Sequence, residues 1–323
     1  METMRVAVLM SVYNRKTKTL SCLSACYSQI EQMKADRKYD FTVYMTEDGC
    51  TDGTSEAVSE MFPDVRIIHG DGHLYWNRGM CAAWEEAARE DYDFYLWLND
   101  DTIINEGALQ CLLEISGALG NKAIIAGTAE ASDGSISYGG RTRKGKIIVP
   151  DSIIPVGCDI FNGNLVLVPR HVFRRLGTMD PVYSHSFGDY DYGVRAERAG
   201  IDSVVAPGIL ASCDRNPGIP VWRDGAYSLK QRYASVTGPK GRPFREQFIY
   251  DVRSEGWLMA IMHFVTLNLR VIFPARKSGS GKSKWSIPSH KGHSIFKPHL
   301  TEVPGEISSQ NCTRVNQKSS SPD

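Results

Sequence analysis

The first 130 residues repeat one pattern, a run of apolar residues followed by a stretch of helical periodicity, and that pattern leaves few folds open. Apolar runs at RVAVLMSV (5–12), FTVYMTE (41–47), VRIIHG (65–70), FYLWL (94–98) and AIIAGTA (123–129) read as strands. Between them, helices are expected around 16–34, 53–61, 78–90 and 106–118. Strand then helix, repeated, predicts a mostly parallel α/β sheet with right-handed crossovers. FYLWL is apolar at every position, as a strand buried on both faces must be. Polar turns follow the strands at 11–14, 48–54, 71–77 and 99–102, so they fall along the carboxyl edge of the sheet, where such folds place their ligands.

Past residue 130 the rhythm changes. SDGSISYGGRTRKGK reads as a Gly-rich hairpin or loop, NGNLVLVP (162–169) as another central strand, 170–176 as a helix, DYDYGVRAERAG (189–200) as a helix closed by glycine, and IDSVVAP (201–207) as a last strand. From 213 to 250 the chain is rich in Pro, Gly, Arg and Tyr, the composition of loops over a site. WLMAIMHFVTLNLRVIF (257–273) is an apolar helix carrying only His263 and Arg270 as ionisable residues. After Pro274 the composition becomes that of a disordered tail. The expected plan is a main α/β domain over 1–215, loops with a C-terminal helix over 216–274, and a tail over 275–323.

Composition narrows the partners. Lys plus Arg and Asp plus Glu each total 37 in 323 residues, so no overall field points to nucleic acid. Eight cysteines (22, 26, 50, 81, 111, 158, 213 and 312) include no CxxC pair, and several sit inside apolar runs, as buried thiols in a reducing compartment do. VAVLMSV is too short for the apolar core of a signal peptide, and no stretch reaches the roughly 18 uncharged apolar residues of a spanning helix. A cytoplasmic location is expected. Helix 257–273, followed by Arg276, Lys277, Lys282 and Lys284, suits peripheral attachment to the anionic inner face of a membrane, while packing on the catalytic domain and a homodimer contact stay open.

The strand FYLWL ends in Asn99, Asp100 and Asp101. Two crowded carboxylates at a buried strand end repel each other and are hard to ionise, so the arrangement requires a compensating cation or hydrogen-bond network. A divalent metal is one such cation. Mg²⁺ and Mn²⁺ take oxygen ligands from one or two carboxylates together with phosphates and water.

VLMSVYNR at the first strand, TEDGCTDGT after the second, WLNDDT after the fourth and FGDYDYGVRAERAG late in the domain resemble, in that order, the family 2 glycosyltransferases of the GT-A fold. The nearest flavour is the bacterial group that adds rhamnose or similar sugars to cell-surface polysaccharides. The resemblance spans roughly residues 4–215. It implies a Rossmann-like, mostly parallel central sheet flanked by helices with a C-terminal helical or loop appendage. It also implies inverting, metal-assisted transfer from a UDP- or dTDP-sugar to a saccharide or lipid-linked saccharide acceptor.

Carried over residue by residue, NDD takes the place of the family's DxD motif with Asn99 in place of the first acid, which makes Asp101 the metal ligand and Asp100 a contact to ribose or sugar. Asp48 matches the position that contacts base or ribose, although EDG followed by TDGT is by itself also a turn and helix-cap signature. Ser11 and Tyr13 would line the base pocket, with Asn14 and Arg15 beside them, and Arg78 would meet the diphosphate unless it is simply exposed. Asp189 takes the position of the catalytic base of the motif usually written ED, with Gly188 where Glu often stands. Asp191 and Arg195, at ion-pair spacing, read as structural. Many relatives add a late His ligand; ILASCDRNPG offers Cys213 and Asp214 instead. Two rival readings are a catalytically silent binding subunit of an assembly complex and a sugar nucleotidyltransferase. The second would carry a Gly-rich basic loop after the first strand, and SVYNRKTKT has no glycine.

Overall fold

The computed structural model describes residues 3–215 and 218–274, which fall into two compact units, one up to Arg215 and one from Gly218 to Pro274. The expected tail at 275–323, with its basic residues and Cys312, lies outside the described residues.

In the first unit the strands are β1 (Met4–Val12), β2 (Tyr39–Glu47), β3 (Arg66–His69), β4 (Phe94–Leu98), β5 (Ile103–Ile104), β6 (Ile124–Ala126) and β7 (Ala129–Glu130). They continue with β8 (Ile136–Tyr138), β9 (Gly140–Arg141), β10 (Val156–Gly157), β11 (Ile160–Phe161), β12 (Leu165–Pro169), β13 (Ser203–Val205) and β14 (Ala211–Ser212). The helices are α1 (Lys16–Lys34), α2 (Thr54–Met61), α3 (Tyr75–Ala88), α4 (Ala108–Ala118), α5 (Arg170–Leu176) and α6 (Gly188–Arg198). An eight-stranded sheet runs in the order β10-β13-β6-β12-β4-β1-β2-β3. Neighbours pair in parallel from β4 through β3 and between β13 and β6, whereas β12 and β10 run antiparallel to their neighbours. A smaller sheet, β5-β14-β7-β8, lies beyond the acid turn, and β9 pairs with β11.

The two-residue period of a strand divides the central strands between two cores. Val6, Val8, Met10 and Val12 of β1, with Phe94, Leu96 and Leu98 of β4, pack with Cys22, Leu23 and Ile30 of α1 and Leu109 and Leu112 of α4. Ala7, Leu9, Tyr95 and Trp97 face the other way, onto Met80 and Trp84 of α3, Val172 of α5 and Tyr192 of α6. Burial on both faces is why these strands read as continuous apolar runs. Trp84 anchors the second core, with ring centroids 5.4 Å from Trp97 and 5.5 Å from both Tyr95 and Tyr192. All seven described cysteines are free.

The second unit departs from the loop-rich segment expected between 213 and 250. It contains a 3-10 turn (Val221–Arg223) and three helices, α7 (Leu229–Thr237), α8 (Phe244–Glu255) and α9 (Trp257–Ile272), around a small core of Trp222, Val236, Leu267 and Val271. Ser228 starts α7 with a reciprocal capping box, its hydroxyl accepting from the Gln231 N–H while the Gln231 side chain accepts from the Ser228 N–H. Pro243 precedes α8 and Gly256 separates α8 from α9, so the Pro and Gly residues that suggested loops mark helix ends.

Candidate active site

The parallel strands bring four loops to one edge. β1 lies between β2 and β4, so residues 13–15 stand beside both the 48–53 loop and the 99–102 turn. That turn is tight: the Asn99 N–H donates to the Asn164 carbonyl at 3.0 Å, the Thr102 N–H to the Asn99 carbonyl at 3.1 Å, and the Asn164 side-chain amide to the Thr102 hydroxyl at 3.2 Å. Asp100 is driven into the protein and Asp101 stays partly open.

Within the chain, the cation that compensates the two acids is Arg15. One of its terminal nitrogens, Nη1, lies 2.9 Å from Asp100 Oδ1 and 2.8 Å from Asp101 Oδ2. Asp100 Oδ2 is buried without a hydrogen-bond partner. Burial pushes the Asp100 carboxyl up to about 6, with Arg15 opposing the shift and Asp101 adding to it. Asp101 Oδ1 accepts from the Cys213 thiol at 3.7 Å. Burial and the neighbouring Asp101 lift that thiol to about 11, which suits its place as a protonated donor to the carboxylate. Asp214 turns away, its Oδ1 accepting from the Ser132 N–H at 2.8 Å. A cavity of about 520 Å³ opens beside Asp101 and Cys213, with Lys18 and Ser132 in its wall.

Asn99 carries the connection to the other acid. Its Oδ1 accepts from the Trp76 indole N–H at 2.7 Å. A Cβ on Gly163 would stand 2.5 Å from the Trp76 ring and 3.4 Å from Asp189 Cβ, so only glycine lets the two pack together there. Gly163 also donates its N–H to Asp189 Oδ2 at 2.9 Å, while Asp189 Oδ1 accepts from the Tyr190 N–H at 2.9 Å. Asp189 thus stands at the start of α6, held by backbone amides. Burial raises its carboxyl to about 6 against the pull of those amides and of Arg141.

The missing acid at 188 has a steric reason. A Cβ on Gly188 would fall 1.6 Å from Asn77 Oδ1. Asn77 is fully buried and staples the 180–187 loop to α3: its side-chain amide donates to the Asp180 and Tyr183 carbonyls at 2.9 and 2.8 Å, and its N–H to the Ser184 carbonyl at 3.1 Å. Arg78 adds a bond from Nε to the Pro181 carbonyl at 3.0 Å, so this expected diphosphate contact is engaged with the loop. Phe187, just before α6, has φ 73°, a left-handed backbone that costs a bulky residue of order 1 kcal/mol and is held by the surrounding contacts. Asp191 accepts from the Tyr183 hydroxyl at 3.0 Å and pairs with Arg195 at 3.2 Å, a structural arrangement.

The expected nucleotide contacts sit toward β2 and β3. Asp48 is buried and accepts three backbone N–H groups, from Gly72 (2.9 Å), Leu74 (3.2 Å) and Tyr75 (2.9 Å), so its carboxylate shapes the 70–75 loop and caps α3. Ser11 packs under α3, where a Cβ on Gly79 would stand 2.1 Å from its hydroxyl. Tyr13 is 48% exposed. Asn14, with φ 50°, accepts from the Thr51 N–H at 2.7 Å and ties the first loop to the second. Asn99, Asp100, Asp101 and Asp189 therefore gather through Trp76 and Gly163, while Ser11, Tyr13, Asn14 and Asp48 form the neighbouring end of the same edge. Sequence reasoning missed Arg15 as the acids' partner and Asn77 as the residue that demands glycine at 188.

For a divalent cation the donor set is Asp100 and Asp101, with one buried carboxylate oxygen unpartnered. Hard oxygen ligands of this kind fit Mg²⁺ or Mn²⁺, with diphosphate and water completing the shell. Among the described residues, no group of three or more His, Cys, Asp or Glu side chains converges.

A family model described as glycosyl transferase family 2 matches residues 7–176, more than half of the chain. No curated protein matches it. Among solved structures, S. aureus TarS 1–349 in complex with UDP-GlcNAc is similar at 13% identity and TM-score 0.52, over 83% of each chain. S. aureus TarS is similar at 12% identity and TM-score 0.51, over 82% of this chain and 49% of that one. A mannosyltransferase from Pyrobaculum calidifontis in complex with GDP-Man and Mn²⁺ aligns at 16% identity and TM-score 0.49, over 84% and 74%. At these identities the structural likeness speaks for the GT-A fold alone. With the family model spanning the edge from β1 through α5, the chain belongs to glycosyl transferase family 2.

Proposed function

We propose that the protein is an inverting glycosyltransferase that moves a sugar from UDP or dTDP to a hydroxyl of a saccharide or lipid-linked saccharide in cell-surface polysaccharide synthesis. The observation that carries this is the arrangement on one sheet edge of an acid pair linked through Asn99, Trp76 and Gly163 to a separate carboxylate held by backbone amides. The diphosphate lies at Asp100 and Asp101, where a bound Mg²⁺ or Mn²⁺, held chiefly by Asp101, would neutralise the charge of the leaving group. Asp189 takes the acceptor hydroxyl's proton as that oxygen attacks the anomeric carbon from the side opposite the diphosphate. The new carbon–oxygen bond forms as the old one breaks, and the electron pair leaves with the diphosphate. Trp76, bonded to Asn99 and resting on Gly163, bounds the sugar between these groups. Tyr13 and Asn14 face the base, Asp48 and Ser11 set the loop and helix on which it rests, and Arg78 fixes the loop that leads to Asp189. UDP is favoured by the TarS complexes with UDP and UDP-GlcNAc.

The test is calorimetric titration with UDP and dTDP, with and without Mn²⁺, beside Asp101→Ala. Metal-dependent binding of one nucleotide, lost in the variant, supports the donor site and names the base. Absence of binding to both overturns the reading and favours a silent subunit.

We also propose that α9 rests on an anionic membrane surface. Its outward face carries Trp257 (68% exposed), Leu258 (81%), Ile261, Met262, Val265 and Leu269, ending at Phe273 (73%), while Ala260, Leu267 and Val271 face the unit's own core. Residues 275–300 then contain six Lys and Arg and no Asp or Glu. No helix among the described residues is long and apolar enough to cross a membrane, so an interfacial position follows the charge and the apolar face. Flotation with phosphatidylserine vesicles should retain the full chain and lose a chain truncated after residue 256. Equal binding of both, or a dimer in place of vesicle binding, overturns this.

A further inference from the structure

Arg15 lies on the solvent side of the acid pair. Its side chain is 37% exposed, against 7% for Asp100 and 15% for Asp101, so the guanidinium covers the carboxylates. The backbone beneath it is pinned on both sides: Asn14 Oδ1 accepts the Thr51 N–H, and the Lys16 N–H donates to Asp52 Oδ2 at 2.9 Å. A single nitrogen bridges both acids, while Asp100 Oδ2 stays buried and unpartnered. A divalent cation arriving at Asp101 therefore meets a positive charge already in contact with both of its carboxylates, and the two cations repel.

We propose that Arg15 is a resident counter-ion that exchanges its partners on donor binding, releasing Asp100 and Asp101 to the metal and turning its guanidinium to the diphosphate. A guanidinium suits the exchange because its planar fork pairs with carboxylate and phosphate alike. The exchange makes metal and nucleotide binding cooperative: Mn²⁺ alone has to displace Arg15, whereas with a diphosphate present Arg15 has somewhere to go. Arg15 acts on metal affinity through the acids, as a positioning residue. The proposal rests on the donor site described above, but its first test needs no nucleotide.

Mn²⁺ alone would be titrated into wild type, Arg15→Gln, Arg15→Lys and the double variant Arg15→Gln/Asp101→Ala, followed by the electron paramagnetic resonance signal of free Mn²⁺, with circular dichroism confirming folding. Arg15→Gln should bind Mn²⁺ about tenfold more tightly than wild type, within the usual range of coupling between sites. The double variant should lose that gain. Arg15→Lys, a point charge on a shorter stem that reaches one acid at a time, should show part of the gain and carries the test should the Gln variant fail to fold. In Arg15→Gln the tightening of Mn²⁺ by UDP should shrink by the same factor. Mn²⁺ affinity in either Arg15 variant equal to or below that of wild type, including no measurable binding by any protein, overturns the proposal. A wild type that binds neither UDP nor dTDP at any Mn²⁺ concentration overturns instead the donor site on which it rests.

Discussion

Asp100, at the end of β4, and Asp189, at the start of α6, have carboxyls lifted to about the same value, near 6, by the same cause, burial, yet their surroundings differ. Asp100 shares a guanidinium with a second acid and keeps one oxygen unpartnered. Asp189 has both oxygens engaged by the amides of Gly163 and Tyr190 and, among the described residues, no cation at hydrogen-bond distance. A carboxylate answered by a mobile charge can trade that charge for another, which suits holding a metal and a diphosphate. A carboxylate answered by fixed amide dipoles can only gain or lose a proton, which suits a base. The difference in partners, with both carboxyls raised alike, separates the two roles.

Asp189→Asn tests the comparison with the largest expected effect. Loss of the base should cut kcat by about a thousandfold, the middle of the range for a positioned proton acceptor, while UDP or dTDP affinity by calorimetry stays unchanged. Full activity in this variant would end the division of roles. The pH profile sharpens it: kcat/KM should fall at least tenfold per unit below pH 6, as Asp189, and Asp100 with it, take up their protons. Stability should move the other way. Both carboxyls bind protons more tightly folded than unfolded, so their contribution declines as pH rises from about 4 to 6 and is constant above, readable in urea midpoints measured across that window.

Gly188→Ala should cost about 2–3 kcal/mol in urea unfolding, because its methyl group meets Asn77 Oδ1 and either the staple or the start of α6 must shift. Its kcat should fall with it, since Asp189 is the next residue. Trp76→Phe should be the mildest, losing one hydrogen bond to Asn99, about 1 kcal/mol, read as a roughly fivefold rise in KM for the donor with kcat nearly unchanged.

The sheet was legible because each central strand is apolar on both faces, and periodicity separates such strands from the amphipathic helices between them. β12 was placed as a central strand, but its antiparallel direction was not legible, because no local pattern in LVLVP differs from that of a parallel strand. α3 begins at Tyr75, before the expected 78, because its cap comes from Asp48, far away in sequence and close only once β2 and β3 have paired. The acid turn was legible as a demand for a cation. That Arg15 supplies it depends on β1 and β4 being neighbours, which the order of elements does not dictate. Asn77 and Gly188 each looked ordinary; the pair makes sense only in contact. In the second unit, SLKQ at 228–231 carried a capping signal that the surrounding Pro and Gly residues obscured.

The place of β12 has a consequence for synthesis. It is made after β6 yet inserts between β6 and β4, so the sheet stays open at its middle until residues 165–169 leave the ribosome. A nascent chain or fragment that stops short of Leu165 presents the bare edge of β4, Phe94–Leu98, with no partner strand, and such apolar edges recruit other chains. The acid pair and Arg15 are thus complete in sequence well before Asn164, which hydrogen-bonds the acid turn at Asn99 and Thr102, is made. Fragments for expression or interaction screening should extend past Pro169 if they are to remain monomeric.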